Sequence, residues 1–423
     1  MNVTPTVNKT TLANGVRIVS MAMPHVRSVS MGVWVQVGAR DETDAESGLS
    51  HFIEHMIFKG TARRSAFQIA KAFDAIGGQT NAFTAMEHTC YHARVLDTHL
   101  DTMVEILADI FLNSVFDEGE VAREQPVICQ EIGMVEDDPE EWTHTLLGSA
   151  FWGHHPLGRS ILGTRENIVG FGSPAIKDFF KRLYQPDRIV IAVAGNLAHD
   201  RFVDTVGPVF EAITPGQGFA PRQSPVGGTD LARCQRDLEQ FHLCLGLPGV
   251  ALTDSRRFAA SLLNTILGGN MSSRLFQIIR ESRGLAYAVY SFLTSYTDAG
   301  MLGVYTAVAP QNVAACIGLI MQQIRRLKSE PVSADGLGDA KAFTKGNLLM
   351  AEENPDNQMV RLAQNEFHFG RFVPMPAVID KVEAVSAADL LALADDLWRD
   401  VQPALTLLGP HAERIDPFGE MVV

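Results

Sequence analysis

The sequence has no long apolar run and no cluster of basic residues. No stretch approaches the roughly 20 apolar residues that a membrane-spanning helix needs, and the first 11 residues lack an apolar signal core or an Arg-rich presequence. The formal net charge is −14, which argues against binding to the phosphate backbone of nucleic acids. We therefore predict a protein that binds neither membranes nor nucleic acid.

Cysteine is also scarce. The chain of 423 residues has five cysteines, an odd number, and none of them forms a Cys-x-x-Cys pair. This pattern indicates reduced thiols in a cytoplasmic compartment and argues against a cysteine-bound metal. The five are widely scattered, at Cys90, Cys129, Cys234, Cys244 and Cys316.

The length exceeds what one hydrophobic core normally supports, so more than one domain is expected. Residues 214–228 are rich in glycine and proline and have no periodicity, which is typical of a linker. The order of predicted elements before this stretch is repeated after it. We predict an α+β fold (a two-layer α/β arrangement) of two homologous halves, each a mostly antiparallel sheet packed with helices. The predicted boundaries are 1–214, a linker at 215–228, and 229–423, with the halves forming a clamshell around a chamber.

One short motif carries most of the chemical information. His51-Phe-Ile-Glu-His55 lies in a segment with helical apolar spacing, in which Ser47 or Ser50 can act as the N-cap. On a helix the two imidazoles lie one turn apart and can bind one zinc ion, while Glu54 beside them can reach a bound water. The alternative is a buried helix with two hydrogen-bonded histidines. Chance gives only about 0.05 such motifs in a chain of this composition, which favours the metal site.

A third ligand is expected from the segment 116–136. It has helical spacing and an acidic first turn, and it places Glu124 and Glu131 seven residues apart on one face. Either glutamate can point at the metal, and a solvated face is the alternative for each of them. Pro126 lies between the two and is expected to kink the helix.

Two strands are predicted at about 79–83 and 88–95. The first is polar, Gln79-Thr-Asn-Ala, and is predicted to form a sheet edge with free backbone groups. A protease uses such an edge to bind an extended peptide by main-chain hydrogen bonds. An ordinary internal strand is the alternative.

With these residues in view, the sequence resembles the pitrilysin family of zinc peptidases, and is most similar to the compact bacterial subgroup that resembles the mitochondrial processing peptidase. The family pattern is His-x-x-Glu-His followed by a glutamate 76 residues after the second histidine, which is Glu131 in this sequence. The resemblance covers essentially the whole chain. It implies one Zn²⁺ per chain with His51, His55 and Glu131 as ligands. It also implies that Glu54 is the general base and that Glu124 is a supporting catalytic glutamate.

The resemblance extends to two stretches that would bind substrate. Residues 77–91 look like the family's active-site strand pair, which implies substrate contacts by Asn81, Ala82 and Phe83. Residues 273–287 look like its distal substrate clamp, with Arg280 and Tyr287 seven residues apart. Without the resemblance, these last two would be interpreted as packing and surface residues.

The resemblance implies a zinc-dependent endopeptidase that hydrolyses short or unfolded peptides enclosed between the two halves and that forms a homodimer. The predicted helix 255–267 takes the place of the zinc helix in the second half but has no histidine, so only the first half is expected to bind metal. The alternative is a non-catalytic structural or partner subunit of the same fold. The intact metal residues and the intact clamp favour the enzyme.

Overall fold

The computed structural model describes residues 6–216 and 219–415, which form two compact units. Unit 1 contains the described residues of 6–134, 159–222 and 350–372. Unit 2 contains those of 135–158, 223–349 and 373–415. Each unit has its own sheet and its own hydrophobic core.

The sheet of unit 1 has six strands in the order β1-β2-β6-β3-β5-β4. Strands β2 and β6 are parallel and the other neighbours are antiparallel. As predicted, the polar strand β4 lies at one edge of the sheet. The strands are β1 Val7–Thr11, β2 Arg17–Ala22, β3 Ser28–Val35, β4 Gln79–Thr84, β5 Thr89–Leu96 and β6 Ile189–Gly195.

The sheet of unit 2 has five strands in the order β7-β11-β8-β10-β9, with β7 and β11 parallel and the other neighbours antiparallel. This order and these directions repeat those of β2-β6-β3-β5-β4, so the predicted repeat of two homologous halves is confirmed. The strands are β7 Leu231–Gln235, β8 Phe241–Gly249, β9 Ala286–Ser295, β10 Gly300–Val308 and β11 Ala404–Gly409.

The α-helices of the described residues pack against these sheets and against one another. The amphipathic helices bury their apolar face in the core of their unit. In chain order they are α1 Leu49–Met56, α2 Ala66–Ala75, α3 Leu100–Asn113, α4 Glu118–Asp137, α5 Pro139–Trp152, α6 Arg165–Gly170, α7 Ser173–Leu183, α8 His199–Phe210, α9 Arg257–Leu267, α10 Val313–Ser329, α11 Ala334–Ala351, α12 Pro355–Phe369, α13 Met375–Ala384 and α14 Ala387–Trp398.

The residues of β3 show how the alternating pattern builds unit 1. Val29, Met31 and Val33 enter the core that α1 and α3 also enter, whereas Trp34 points to the opposite face of the sheet. There the indole Nε1 donates a hydrogen bond to Met359 Sδ of α12 at 3.1 Å. The sheet of unit 1 is thus covered by helices on both faces.

Two helices pack in the unit that is formed mainly by the other half of the sequence. Helix α12 follows the linker in sequence but packs on β6, β3 and β2 of unit 1, and α5 precedes the linker but packs on β11, β8 and β7 of unit 2. The compact units therefore differ from 1–214 and 229–423 by these two exchanged helices. Each sheet needs cover on its second face, and the helix that supplies it comes from the other half of the sequence.

The predicted linker has no regular secondary structure among its described residues. It is nevertheless fixed to unit 1, because the Arg222 guanidinium donates two hydrogen bonds to the carboxylate of Asp41, at 2.8 and 2.7 Å. Within the described part of the chain, no helix combines the length and apolarity needed to cross a membrane.

Candidate metal centre

Helix α1 carries the motif and begins in an unexpected way. Its N-cap is Gly48, in the left-handed region with φ of 101°, and neither Ser47 nor Ser50 caps it with a side chain. The predicted serine caps were therefore wrong. Instead the buried carboxylate of Glu42 accepts hydrogen bonds from the backbone N–H groups of Gly48 and Ser50, at 2.8 and 2.7 Å. Glu42 thereby satisfies N–H groups that a helix start leaves unpaired.

The sequence motif and α4 together place three potential metal-binding atoms close to one another. His51 Nε2 lies 3.2 Å from His55 Nε2. Glu131 Oε2 lies 3.6 Å from His51 Nε2 and 3.5 Å from His55 Nε2. Among the described residues, this is the group of histidine, cysteine and acidic side chains whose geometry could hold a metal ion.

These distances fit a zinc ion. Zinc binds imidazole nitrogen and carboxylate oxygen at about 2.0–2.2 Å in a tetrahedral arrangement, which separates neighbouring ligand atoms by roughly 3.3–3.6 Å. The three measured separations, 3.2, 3.5 and 3.6 Å, bracket that range. A zinc ion held by these three residues would keep a fourth coordination position for a water or a substrate oxygen, as in catalytic zinc sites.

Burial keeps the first histidine ready to bind metal. His51 is buried, and the loss of solvation lowers its pKa to about 3, so its imidazole is neutral over the physiological pH range. A neutral imidazole is the form that coordinates a metal.

Glu124 lies behind the second histidine. Helix α4 continues through Pro126, and Glu124 is buried on its inner face. Its Oε1 lies 2.9 Å from His55 Nδ1, and its Oε2 accepts from Lys59 Nζ at 2.6 Å. Although burial opposes ionisation, the hydrogen bonds from Lys59 and His55 lower the pKa of Glu124, so the carboxylate is charged. A bond from Nδ1–H to this carboxylate leaves His55 Nε2 free for the metal.

Glu54 is held by the edge strand. Its Oε2 accepts a hydrogen bond from Thr84 Oγ1 at 2.6 Å, and Thr84 is the last residue of β4. Burial raises the pKa of Glu54 above its ordinary value. Thr84 and Lys59 were not identified from the sequence, because neither belongs to a spaced motif and only the folded chain brings them to the carboxylates.

The edge strand presents a defined set of backbone groups. In the turn after β4, Ala85 N donates to His88 O at 2.8 Å. Because pairing alternates along an antiparallel strand, the odd-numbered residues of β4 face β5 and the even-numbered ones face outward. The outward backbone groups are therefore those of Thr80, Ala82 and Thr84.

The three predicted strand contacts differ in their surroundings. Ala82 is buried in the core shared with α1, and its N–H donates to Asn81 Oδ1 at 2.9 Å. Phe83 points to the opposite face, where its ring lies 5.4 Å from that of Trp34. The side chain of Phe83 is thus on the face of the sheet that faces away from α1, and only its backbone shares the edge strand.

The predicted clamp residues lie in unit 2 and are paired with each other. Arg280 Nη1 donates to Tyr287 O at 2.9 Å, and its guanidinium lies over the rings of Tyr287 and Phe276, at 4.7 and 4.8 Å. The ring of Tyr287 is exposed. The predicted helix at 273–280 is a helical segment that widens into a π-helical turn at Phe276–Glu281.

Two imidazoles and a carboxylate whose separations suit one metal ion, in a chain of two repeated α+β halves, define the class as a protein with an inverted His-x-x-Glu-His motif and a candidate metal site. Comparison with known proteins agrees. A family model described as insulinase (peptidase family M16) matches residues 17–165, and one described as the peptidase M16 inactive domain matches residues 172–343. The chain belongs to the M16 peptidase family, which confirms the predicted resemblance to pitrilysin-type peptidases.

Individual relatives cover nearly the whole chain. The chain is 40% identical over 404 residues to the uncharacterized zinc protease YmxG of Bacillus subtilis, covering 96% of this chain and 98% of that protein. It is 38% identical over 417 residues to an uncharacterized zinc protease of Streptomyces coelicolor, covering 97% and 91%.

Two solved structures share the fold. A protease from Helicobacter pylori superimposes with a TM-score of 0.90 at 21% identity, covering 96% of this chain and all of the other. A protein from Pseudomonas fluorescens described as a peptidase M16 inactive domain gives a TM-score of 0.90 at 19% identity, covering 96% and 98%.

Proposed function

We propose that the protein is a zinc-dependent endopeptidase that hydrolyses short or unfolded peptides. The observation that carries this proposal is the triangle of His51 Nε2, His55 Nε2 and Glu131 Oε2, whose edges of 3.2–3.6 Å suit one Zn²⁺. The names of its relatives as zinc proteases support the same metal.

When bound, zinc supplies a Lewis acid that polarises a scissile carbonyl and lowers the pKa of water towards about 7. Glu54 is the general base: it takes a proton from the attacking water and returns it to the leaving amine. Burial raises the pKa of Glu54, which suits this role because a stronger base accepts the proton more readily. The hydroxyl of Thr84 holds the carboxylate in place.

Glu124 acts through His55 and not on the substrate. By accepting from Nδ1, it fixes the tautomer and the ring orientation of His55, while Lys59 holds the carboxylate from its other oxygen. It is therefore a positioning residue, which refines the supporting catalytic role that the resemblance implied.

The edge strand explains why the substrate has to be extended. A peptide pairs with the outward backbone groups of Thr80 and Thr84 and with the carbonyl of Ala82 only if it is itself a strand. Folded domains offer few free strands, so short peptides and unfolded chains are the substrate class. In unit 2, the exposed Tyr287 hydroxyl and the half-buried Arg280 guanidinium supply polar contacts to the peptide backbone.

The test is cleavage of quenched peptides by the purified, zinc-loaded chain. We expect hydrolysis that a chelator abolishes, that zinc restores, and that the Glu54→Gln variant lacks. The alternative function is a non-catalytic partner subunit. The Pseudomonas fluorescens protein of the same fold is described as an inactive domain, which favours considering this alternative. That alternative predicts no hydrolysis of any peptide pool by the zinc-loaded chain.

Assembly and location are further proposals. One chain carries both the metal residues and the clamp, so we expect an active homodimer of twice 46.2 kDa that needs no different subunit. Light scattering of the purified chain tests the mass. The cytoplasmic location stays a prediction from the scattered, unpaired cysteines.

A further inference from the structure

Helices α4 and α11 are counterparts in the repeat. They begin at residues 118 and 334, and the helices that follow them begin with Pro139 and Pro355, so both pairs of positions are 216 residues apart. The residues before the two prolines, Asp138 and Asn354, both cap the following helix with a side-chain oxygen. This spacing aligns the two helix pairs residue by residue.

Each counterpart helix exposes a pair of large apolar side chains at the same two positions. On α4 these are Val127 and Met134, which are 48% and 67% exposed. The residues 216 positions later are Phe343 and Met350, which are also exposed. Seven residues make two turns of a helix, so each pair lies on one face.

The metal residues do not account for these pairs. The position of Glu131 is occupied on α11 by Asn347, and that of Glu124 by Ala340. The apolar pair is thus present in both copies, whereas the ligands are present in one. Single exposed apolar side chains are common on protein surfaces, but their recurrence at matching positions of both helices points to a contact outside the core.

On α4 the pair flanks the metal ligand. Val127 precedes Glu131 by four residues and Met134 follows it by three, which places them about 6 and 4.5 Å away along the helix axis. Both are rotated to the same side of Glu131, by about 40° and 60°. Side chains on one face of an extended peptide repeat at roughly 6.6–6.8 Å, so a peptide held at the metal has a side chain within reach of this pair.

The apolar surface is small. Its neighbours on the same side of α4 are the polar residues Arg123 and Gln130, both exposed. Two apolar side chains bounded by polar ones suit one or two peptide side chains. They do not suit a stable protein interface, which buries roughly 800 Å² on each partner.

We propose that Val127 and Met134 bind a large apolar side chain of the substrate next to the scissile bond, so that the enzyme prefers peptides with Leu, Phe or Met there. This rests on the proposed peptidase function and names the substrate class of the same site. The two residues determine specificity and do not take part in proton transfer or metal binding.

The experiment compares two quenched peptides that differ only in having Leu or Ser at the positions flanking the cut, which is first located by sequencing the products of a mixed peptide library. Four proteins are assayed with zinc bound: wild type, Met134→Gln, the double variant Val127→Ser/Met134→Ser, and the control Leu96→Ser/Val209→Ser. The control residues are also exposed, at 53% and 40%, and lie at the end of β5 and on α8. Zinc content and thermal midpoint are measured for each protein.

We expect wild type and control to favour the Leu peptide in kcat/KM by tenfold or more. In the double variant the ratio of kcat/KM for the Leu peptide to that for the Ser peptide should be about tenfold lower than in wild type. Met134→Gln should lower this ratio less, and the zinc content of both variants should be unchanged. A wild type that cuts peptides without apolar preference, or a double variant that keeps it, would overturn this inference and leave the peptidase function intact. A wild type that cuts no peptide at all would overturn both.

Discussion

The sheet of unit 2 repeats five strands of the sheet of unit 1 in the same order, yet among the described residues only unit 1 brings together the side chains of a metal site. In unit 1, α1 carries two histidines and a glutamate, and α4 adds two more glutamates. In unit 2, the corresponding helix α9, Arg257–Leu267, has no histidine and no acidic residue. The fold alone therefore does not make the site; five side chains on two helices do.

The difference shows how one scaffold serves two tasks. Unit 1 pairs its residues around a possible ion and holds them with Glu42, Lys59 and Thr84. Unit 2 instead presents an arginine and an exposed tyrosine in contact with each other. The expected division of labour is chemistry in unit 1 and binding in unit 2, and four predictions test it.

The largest effect should come from removing the base in unit 1. Glu54→Gln cannot accept a proton, so kcat should fall about 100- to 10,000-fold while zinc content is unchanged. The control is Glu239→Gln, an exposed position in unit 2, which should keep wild-type activity. Peptide turnover and metal analysis are the measurements. If Glu54→Gln kept wild-type turnover, Glu54 would not be the general base, and α1 would not supply the chemistry that distinguishes unit 1 from unit 2.

A second contrast concerns the carboxylates at the starts of α1 and α9. Burial raises the pKa of Glu42 from its ordinary 4.5 to about 7. Because the folded-state pKa is raised, its contribution to stability is complete below pH 4.5 and is lost as the pH rises to about 7. The difference in unfolding free energy between wild type and Glu42→Gln should therefore fall by about 3 kcal/mol over that range.

The control is Asp254, whose contribution to stability should depend on pH in the opposite direction to that of Glu42. Hydrogen bonds from Arg256 lower the pKa of Asp254, which precedes α9. Its contribution is present above pH 3.8 and is lost only as the pH falls below that value. Urea unfolding of wild type, Glu42→Gln and Asp254→Asn between pH 3 and 8 makes the comparison. A stability difference for Glu42→Gln that does not change with pH would contradict the account.

Third, Glu124→Gln should weaken zinc binding about 10- to 100-fold, because it removes the charged partner of His55. The matched control is Glu120→Gln on the same helix, whose carboxylate pairs with the exposed Arg123. Competition with a chelator of known affinity gives the zinc dissociation constants. Equal constants for the two variants would mean that Glu124 does not position His55.

The smallest effect is expected in unit 2. Arg280→Ala should raise KM about tenfold with little change in kcat, since losing a contact made equally in the bound and transition states weakens binding only. The control is Arg283→Ala, an exposed arginine three residues further on. Should kcat fall as much as KM rises, unit 2 would take part in the chemistry as well as in binding.

The sequence predicted those parts of the molecule that depend on local spacing. The motif on α1, the helix of Glu131 and the edge strand β4 follow from periods of 3.6 and 2 residues, and each lies where it was predicted. The exchange of α5 and α12 was not predicted, because which sheet a helix covers depends on contacts far apart in sequence. Strand β7 was also missed, since it is short and only partly buried.

The same limit applies inside the site. The spacing of the motif predicted the two histidine ligands, and the resemblance to the family selected Glu131 over Glu124, but the residues that support the ligands could not be predicted. Glu42 caps α1 from six and eight residues away, and Lys59 and Thr84 reach their partners from separate elements. Helix α4 continues through Pro126 and keeps Glu124 on the buried face, while the predicted kink at Pro126 stays a prediction.

The most direct test is a crystal structure of the zinc-loaded chain with anomalous diffraction at the zinc edge. The account predicts one ion per chain, bonded to Nε2 of His51, Nε2 of His55 and a carboxylate oxygen of Glu131, each at about 2.0–2.2 Å. An ion bound elsewhere, or Glu131 turned away from both imidazoles, would contradict it.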